Sequence, residues 1–195
     1  MSKRVLLFLS NGFEALEASV FTDVCGWSTT YGNQPVELIT AGLHKNVTAT
    51  WNFNVAPEVD LMEINPADYD ALAIAGGFEK AGFYTDAYDE RFLDVIRAFD
   101  QHKKYIAAIC VAALPLGKAG ILKNRPATTY GLPNGERQDQ LQAFGAVLQL
   151  APLVVHENII TSSGPNTAVD VAFKLLELLT DKANVDKVKY YMGFC

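Results

Sequence analysis

Cysteine and histidine are scarce in this sequence, with three of each among 195 residues, all widely separated. Cys25, Cys110 and Cys195 are odd in number and form no C-x-x-C, so neither a disulfide framework nor a zinc site is expected. His44, His102 and His156 show no ligand spacing with one another, and no metal or cofactor is expected. Basic clusters are missing beyond Lys103-Lys104, and the net charge of −6 argues against a nucleic-acid surface. No apolar run is long enough to span a membrane. Val5 to Leu9, behind Met1-Ser-Lys-Arg, is too short for a signal h-region with its cleavage site, so a cytoplasmic location is expected. Repeats, low-complexity tracts and linkers are also absent, and residues 1–195 are expected to form a single domain.

What is present is apolar and alternating. Half of the residues are hydrophobic, enough for a substantial core. Val5 to Ser10 reads as a first strand and Glu14 to Ser28 as a helix, with Leu16, Val20, Val24 and Trp27 spaced as a core-facing stripe. Pro35 to Ala41 is a second strand, and the alternation from Val47 to Val59 predicts a short hairpin. Ala71 to Ala75 is a buried strand that runs into Gly76-Gly77. Tyr88 to His102 is a helix with Phe92, Val95, Ile96 and Phe99 on one face. Tyr105 to Ile109 is a strand, Val111 to Leu116 opens a helix, and glycines after it close that helix. Arg125 to Tyr130 is a short strand, Glu136 to Phe144 a helix, and Val147 to Val155 an extended run broken by Pro152. Asn158 to Ser162 is the last buried strand, followed by helices over Ala168 to Leu179 and Asp181 to Tyr191. Strand and helix alternating in this way call for an α/β sandwich on a mainly parallel sheet.

Cys110 falls at the join of a strand and a helix. Such a turn presents a side chain at the carboxyl edge of a parallel sheet, beside the free N–H groups of the next helix. That setting is expected to lower the thiol pKa and give a thiolate nucleophile. The alternative is a small buried core residue. Glu14 and Glu17 fall at the start of the first helix, where they compensate its dipole or hold a carboxyl at the same sheet edge. Gly76-Gly77 follows a strand directly; it is an ordinary tight turn or a loop whose N–H faces an anion.

Glu17, Gly76-Gly77, Ala107-Ala-Ile-Cys110 and Thr161-Ser-Ser-Gly-Pro165, in this order and spacing, resemble the ThiJ/PfpI superfamily, also called the DJ-one/PfpI family. The resemblance runs from about Val5 to Leu179. It implies a flavodoxin-like, three-layer α/β/α sandwich of the class I glutamine amidotransferase type, usually a homodimer, with a cysteine on a nucleophile elbow. It implies that Glu17 hydrogen-bonds to Cys110 and that the Gly77 and Val111 N–H groups form an oxyanion pocket. Gly76, Ser163, Gly164 and Pro165 would line the site. Activities in the family range over glyoxalases, proposed deglycases, chaperones, peptidases and isocyanide hydratases, so the fold does not set the reaction.

This sequence departs from the family pattern in three places. Tyr130 stands where many members place a histidine, Ser163 where some carry an arginine, and the elbow Ile-Cys-Val-Ala lacks the glycines of glutamine amidotransferases. A phenol is a donor and a poor base near neutral pH, which argues against peptidase chemistry. The expected catalytic set is Cys110, Glu17 and Tyr130, acting on a small reactive carbonyl in a glyoxalase- or deglycase-like reaction. The alternatives are a redox sensor or stress-response chaperone in which Cys110 is oxidised while Cys25 and Cys195 are spared, and a divergent hydrolase or hydratase. Phe13, Phe78, Phe83 and Tyr84 are expected to narrow the pocket or to pack in the core or a dimer interface.

Overall fold

A computed structural model describes residues 2–194. The chain opens with β1 (Lys3–Phe8), α1 (Ala15–Tyr31) and β2 (Val36–Gly42). Three short strands follow, β3 (Val47–Thr48), β4 (Asn54–Val55) and β5 (Val59–Asp60), then β6 (Ala71–Ile74), α2 (Phe83–Ala87) and α3 (Glu90–Gln101). Next come β7 (Tyr105–Ala108), α4 (Ala113–Lys118), β8 (Pro126–Ala127), α5 (Glu136–Ala143) and β9 (Val147–Leu148). The chain ends with β10 (Leu153–His156), β11 (Ile159–Ser162), α6 (Ala168–Leu179) and α7 (Lys182–Met192).

The main sheet has the order β10-β11-β7-β6-β1-β2-β5 and is parallel throughout except for the β10–β11 pair. Its central strands are continuous apolar runs because helices cover both faces: every residue of β6 is buried, as are Val5 to Phe8 of β1. From β1 the chain crosses to β2 on one side, whereas from β6 it crosses to β7 on the other. Right-handed crossovers therefore put α1 and α3 on opposite faces. Helix α1 packs with α6 and α7, and α3 packs with β6, β7 and α4. The result is a three-layer α/β/α sandwich with flavodoxin-like strand order. The loops leaving β1 and β6 diverge at their carboxyl ends, and this topological switch point is where such sheets bind ligands.

Several elements differ from the sequence reading. Val20 and Val24 of the expected α1 stripe are buried and Trp27 packs against the core, but Leu16 is 54% exposed and Glu17 faces inward in its place, with Phe21 and Ser28 widening the buried face. The helix expected over Tyr88 to His102 is present as α3, which Asp89 caps by accepting from the Arg91 N–H, and the short α2 ahead of it was not expected. The run after Cys110 starts as a 3₁₀ turn over Cys110–Ala112 before α4 begins. Strand β8 is shorter than Arg125 to Tyr130 and pairs with β9, outside the main sheet. The predicted hairpin is present as β3 and β4. Cys195 lies outside the described residues.

Candidate active site

Cys110 sits between β7 and α4 with φ of 59°, in the left-handed region that a side chain adopts only under constraint. Neighbours hold it there. The Ile109 N–H donates to the Ile74 carbonyl at 3.1 Å, and the buried Thr129 hydroxyl donates to the Cys110 carbonyl at 2.8 Å. The elbow thus hangs between β6, β7 and the segment after β8, and the sulfur faces the sheet's carboxyl edge.

Glu17 reaches the same point from the first turn of α1 and is fully buried. Its Oε2 accepts from the Gly76 N–H at 2.6 Å. Gly76 is required by space: a Cβ there would lie 2.9 Å from Glu17 Oε2 and 3.1 Å from the Cys110 Cβ. Glu17 Oε1 is buried without a hydrogen-bond partner among the described residues, and the Cys110 thiol is the polar side chain beside this carboxyl. Burial pushes the Glu17 carboxyl up to about 8, against the Gly76 N–H bond and the neighbouring Cys110 thiol, which favour its anion.

The thiol is pushed up as well, by burial first and then by the negative charge of Glu17, while the Val111 N–H hydrogen bond to sulfur pulls the other way. This corrects the expected lowering. Cys110 is followed by a 3₁₀ turn rather than a helix end, so one N–H reaches the sulfur, and that does not offset desolvation. Both groups cannot be ionised together at neutral pH. The carboxyl of Glu17 is the first of the two to lose its proton, and its negative charge then holds the thiol protonated.

Gly77 pairs with Phe13 across an isolated antiparallel bridge. The bonds that make the bridge run from Glu14 N–H to Gly76 O (2.8 Å) and from Phe78 N–H to Gly12 O (3.0 Å). Phe13 and Gly77 are therefore the non-bonded pair of that bridge, and the Gly77 N–H points away from it. A cavity of about 580 Å³ opens here, lined among others by Glu17, Gly77, Phe78, Tyr84, Cys110, Val111, Tyr130, Arg137 and Pro165. Gly76 stands behind Glu17. Ser163 and Gly164 do not line the cavity; the Ser163 N–H donates to the Pro152 carbonyl, and Gly164 packs under the Tyr130 ring. Phe78 and Tyr84 line the cavity, whereas Phe13 and Phe83 are core residues.

None of the three histidines lines the cavity. His44 instead pairs with the buried Asp86 at 2.9 Å. Among the described residues no three His, Cys, Asp or Glu side chains converge as a metal site. Sequence reasoning missed Arg137 and the Leu132–Pro133–Asn134 rim. Both lie on a polar stretch that reads as surface, and no motif marks them.

A family model for the DJ-1/PfpI family matches residues 3–178. The chain belongs to the DJ-1/PfpI family. Among curated DJ-1/PfpI relatives, Protein DJ-1alpha of Drosophila melanogaster is 30% identical over 181 residues, covering 91% of this chain and 78% of that one. The crystal structure of Drosophila melanogaster DJ-1beta superposes with a TM-score of 0.86 at 26% identity, covering 99% of this chain and 98% of the other. Two further matches are partial. Uncharacterized protein MJ0967 of Methanocaldococcus jannaschii is 31% identical over 114 residues, 58% of this chain and 54% of that protein's length. The isonitrile hydratase of Pseudomonas putida is 31% identical over 110 residues, 56% of this chain and 45% of its own length. Putative cysteine protease YraA of Bacillus subtilis is 30% identical over 167 residues, 85% of this chain and 92% of its own length, so the relatives carry more than one named chemistry. No described helix is long and apolar enough to cross a membrane.

Proposed function

We propose that this protein acts on small reactive carbonyl compounds through Cys110, in a glyoxalase- or deglycase-like reaction. The observation that carries the reading is the buried Glu17–Cys110 pair, whose carboxyl is pushed up to about 8. A group of that pKa moves protons efficiently near neutral pH. In the addition step the sulfur bonds to the carbonyl carbon and the C=O π pair moves to oxygen. The thiol proton passes by way of Glu17 to that oxygen, giving a neutral hemithioacetal. The Gly77 N–H donates to the developing alkoxide, and the Val111 N–H holds the sulfur. With a 2-oxoaldehyde, Glu17 then carries the C1 proton to C2 through an enediol. The resulting thioester is cleaved by water to the 2-hydroxy acid and the free thiol. In this reading Tyr130 donates a hydrogen bond to the substrate, and Ser163, Gly164 and Pro165 shape the wall behind its ring. The substrate is a small molecule, the working form a homodimer, and the compartment the cytoplasm. The absence of histidine from the cavity lining supports carbonyl addition over amide cleavage, which needs an acid for its leaving amine.

The test is turnover of methylglyoxal to lactate. Cys110→Ala is expected to abolish it, and Glu17→Gln to lower kcat by about 100-fold or more. A wild-type protein without turnover of any small dicarbonyl removes the reading. A second reading keeps the site and drops the turnover: peroxide oxidises Cys110 to a sulfinate that accepts from protonated Glu17. It is favoured by the contrast in setting with Cys25, which lies among apolar side chains with no carboxyl beside it, whereas Cys110 lines the open cavity next to Glu17.

A further inference from the structure

Two groups in the cavity are left unused by the reaction above. Arg137, on α5, projects a largely buried guanidinium into it, 5.3 Å above the centre of the Tyr84 ring. The Tyr84 hydroxyl is itself buried and has no hydrogen-bond partner among the described residues. A buried donor without a partner, on a residue lining a cavity, marks a place where a ligand atom completes the bonding.

The guanidinium is held by Glu79, whose Oε2 accepts from Arg137 Nη2 at 2.6 Å, and by Gln140, whose Oε1 accepts from Nη1 at 3.0 Å. Glu136 stands further off, at 3.4 Å. Glu79 is the weak member of this set. It lies on an exposed turn, its side chain is 64% exposed, and Arg137 is its one ion-pair partner among the described residues. Its carboxylate therefore occupies the guanidinium as a ligand carboxylate would, without being fixed by anything else. Arginine is the residue suited to such exchange, because its planar fork takes carboxylate by two parallel hydrogen bonds.

We infer that Arg137 and Tyr84 form a carboxylate subsite next to Cys110, that Glu79 occupies it in the free protein, and that the preferred carbonyl substrate carries a carboxylate. This rests on the reading of Cys110 as the group that attacks a carbonyl. The substrate carboxylate displaces Glu79 from Arg137 and accepts from the Tyr84 hydroxyl, while the carbonyl carbon faces the sulfur. The aromatic ring beneath the guanidinium keeps the cation in place during the exchange.

The experiment compares alkylation of Cys110 by iodoacetate and by iodoacetamide, followed by mass at that residue. The two reagents deliver nearly the same electrophile with and without a carboxylate, and the neutral one reports whether the elbow is intact. Arg137→Met is expected to lower the iodoacetate-to-iodoacetamide rate ratio about tenfold, the size of one lost charge-assisted contact. Glu79→Gln is expected to raise it, because the guanidinium is freed. An unchanged ratio in either variant overturns the subsite. If wild type fails to turn over any carbonyl compound, the proposed reaction falls, yet the alkylation ratio still decides whether the subsite exists. If turnover is found, a 2-oxoaldehyde that also carries a distal carboxylate, such as 4,5-dioxopentanoate, is expected to have a lower KM than methylglyoxal, and Arg137→Met to raise the KM of that acid alone.

Discussion

At the scale of single residues, Glu17 is the costly one. Its carboxyl is fully buried, and its pKa stands at about 8 against an ordinary 4.5. The native state thus binds this proton more tightly than the unfolded chain does. The stabilisation is fully present below the unfolded value and is lost as pH rises through the window from 4.5 to about 8. The loss amounts to as much as about 5 kcal/mol, at about 1.4 kcal/mol per pH unit. Glu17→Gln keeps an acceptor for the Gly76 N–H and carries no charge. It is expected to flatten the urea midpoint across that window and to exceed wild type by about 2 kcal/mol or more near its upper end. Equal midpoints for wild type and variant at every pH would show that the carboxyl is not held protonated. A residue that weakens the fold where the protein would work is retained for the proton it holds beside Cys110, and this is the reason α1 turns a carboxylate inward while Leu16 faces solvent.

At the scale of elements, the chain ties its first and last helices together through one side chain. Asn184, at the start of α7, is fully buried. Its Oδ1 accepts from the Asn33 and Gln34 N–H groups at 2.6 and 3.0 Å, and its Nδ2 donates to the Gln34 carbonyl at 3.1 Å. The loop leaving α1 is therefore completed by α7. Asn184→Ala removes the acceptor of the Asn33 and Gln34 N–H groups, while the Gln34 carbonyl keeps the Ser28 hydroxyl as donor at 3.0 Å; it is expected to cost about 1–3 kcal/mol, with faster hydrogen exchange at Asn33 and Gln34. Unaltered exchange there would mean that α7 merely lies against the loop.

The same scale separates what was legible in the sequence. The strand–helix alternation, helix α6 over Ala168 to Leu179 and the hairpin were readable, because each has an apolar period or a Gly-Pro or Asn boundary of its own. Strand β5 was not: two residues have no period, and Val59–Asp60 pairs because β2 offers a free edge. The inward face of α1 was misread because apolar spacing favours Leu16, whereas the Gly76 N–H and the Cys110 thiol decide the matter for Glu17. Cys110 could be placed on its elbow from the order of residues, but the direction of its pKa could not. That depends on the 3₁₀ turn after it and on how much water the fold removes. Arg137 and Tyr84 meet only in space, from helix α5 and the segment after β6.

At the scale of the whole molecule, the cavity is not bounded by well-covered surface. Phe78, on its rim, is 48% exposed and packs at a tilt against Trp51, with ring centres 5.4 Å apart; Trp51 is itself 68% exposed and Phe53 62% exposed. These rings come from the β3–β4 hairpin and the loop after β6, two excursions that leave the main sheet on the side of Cys110. Monomeric surfaces rarely leave contiguous aromatic area of this kind uncovered. A second copy of the chain seated on these rings would bury them across a two-fold axis. Sedimentation equilibrium is expected to give twice the mass of the chain, and Trp51→Glu to shift it to the monomer by placing a charge against its own symmetry mate. If the variant stays dimeric, the interface is on another face; if wild type is monomeric, the rings serve the cavity alone. The variant also links this scale to the site. Phe78 belongs to both the aromatic patch and the cavity wall, so loss of the dimer is expected to speed Cys110 alkylation by iodoacetamide, as the rim ring is released.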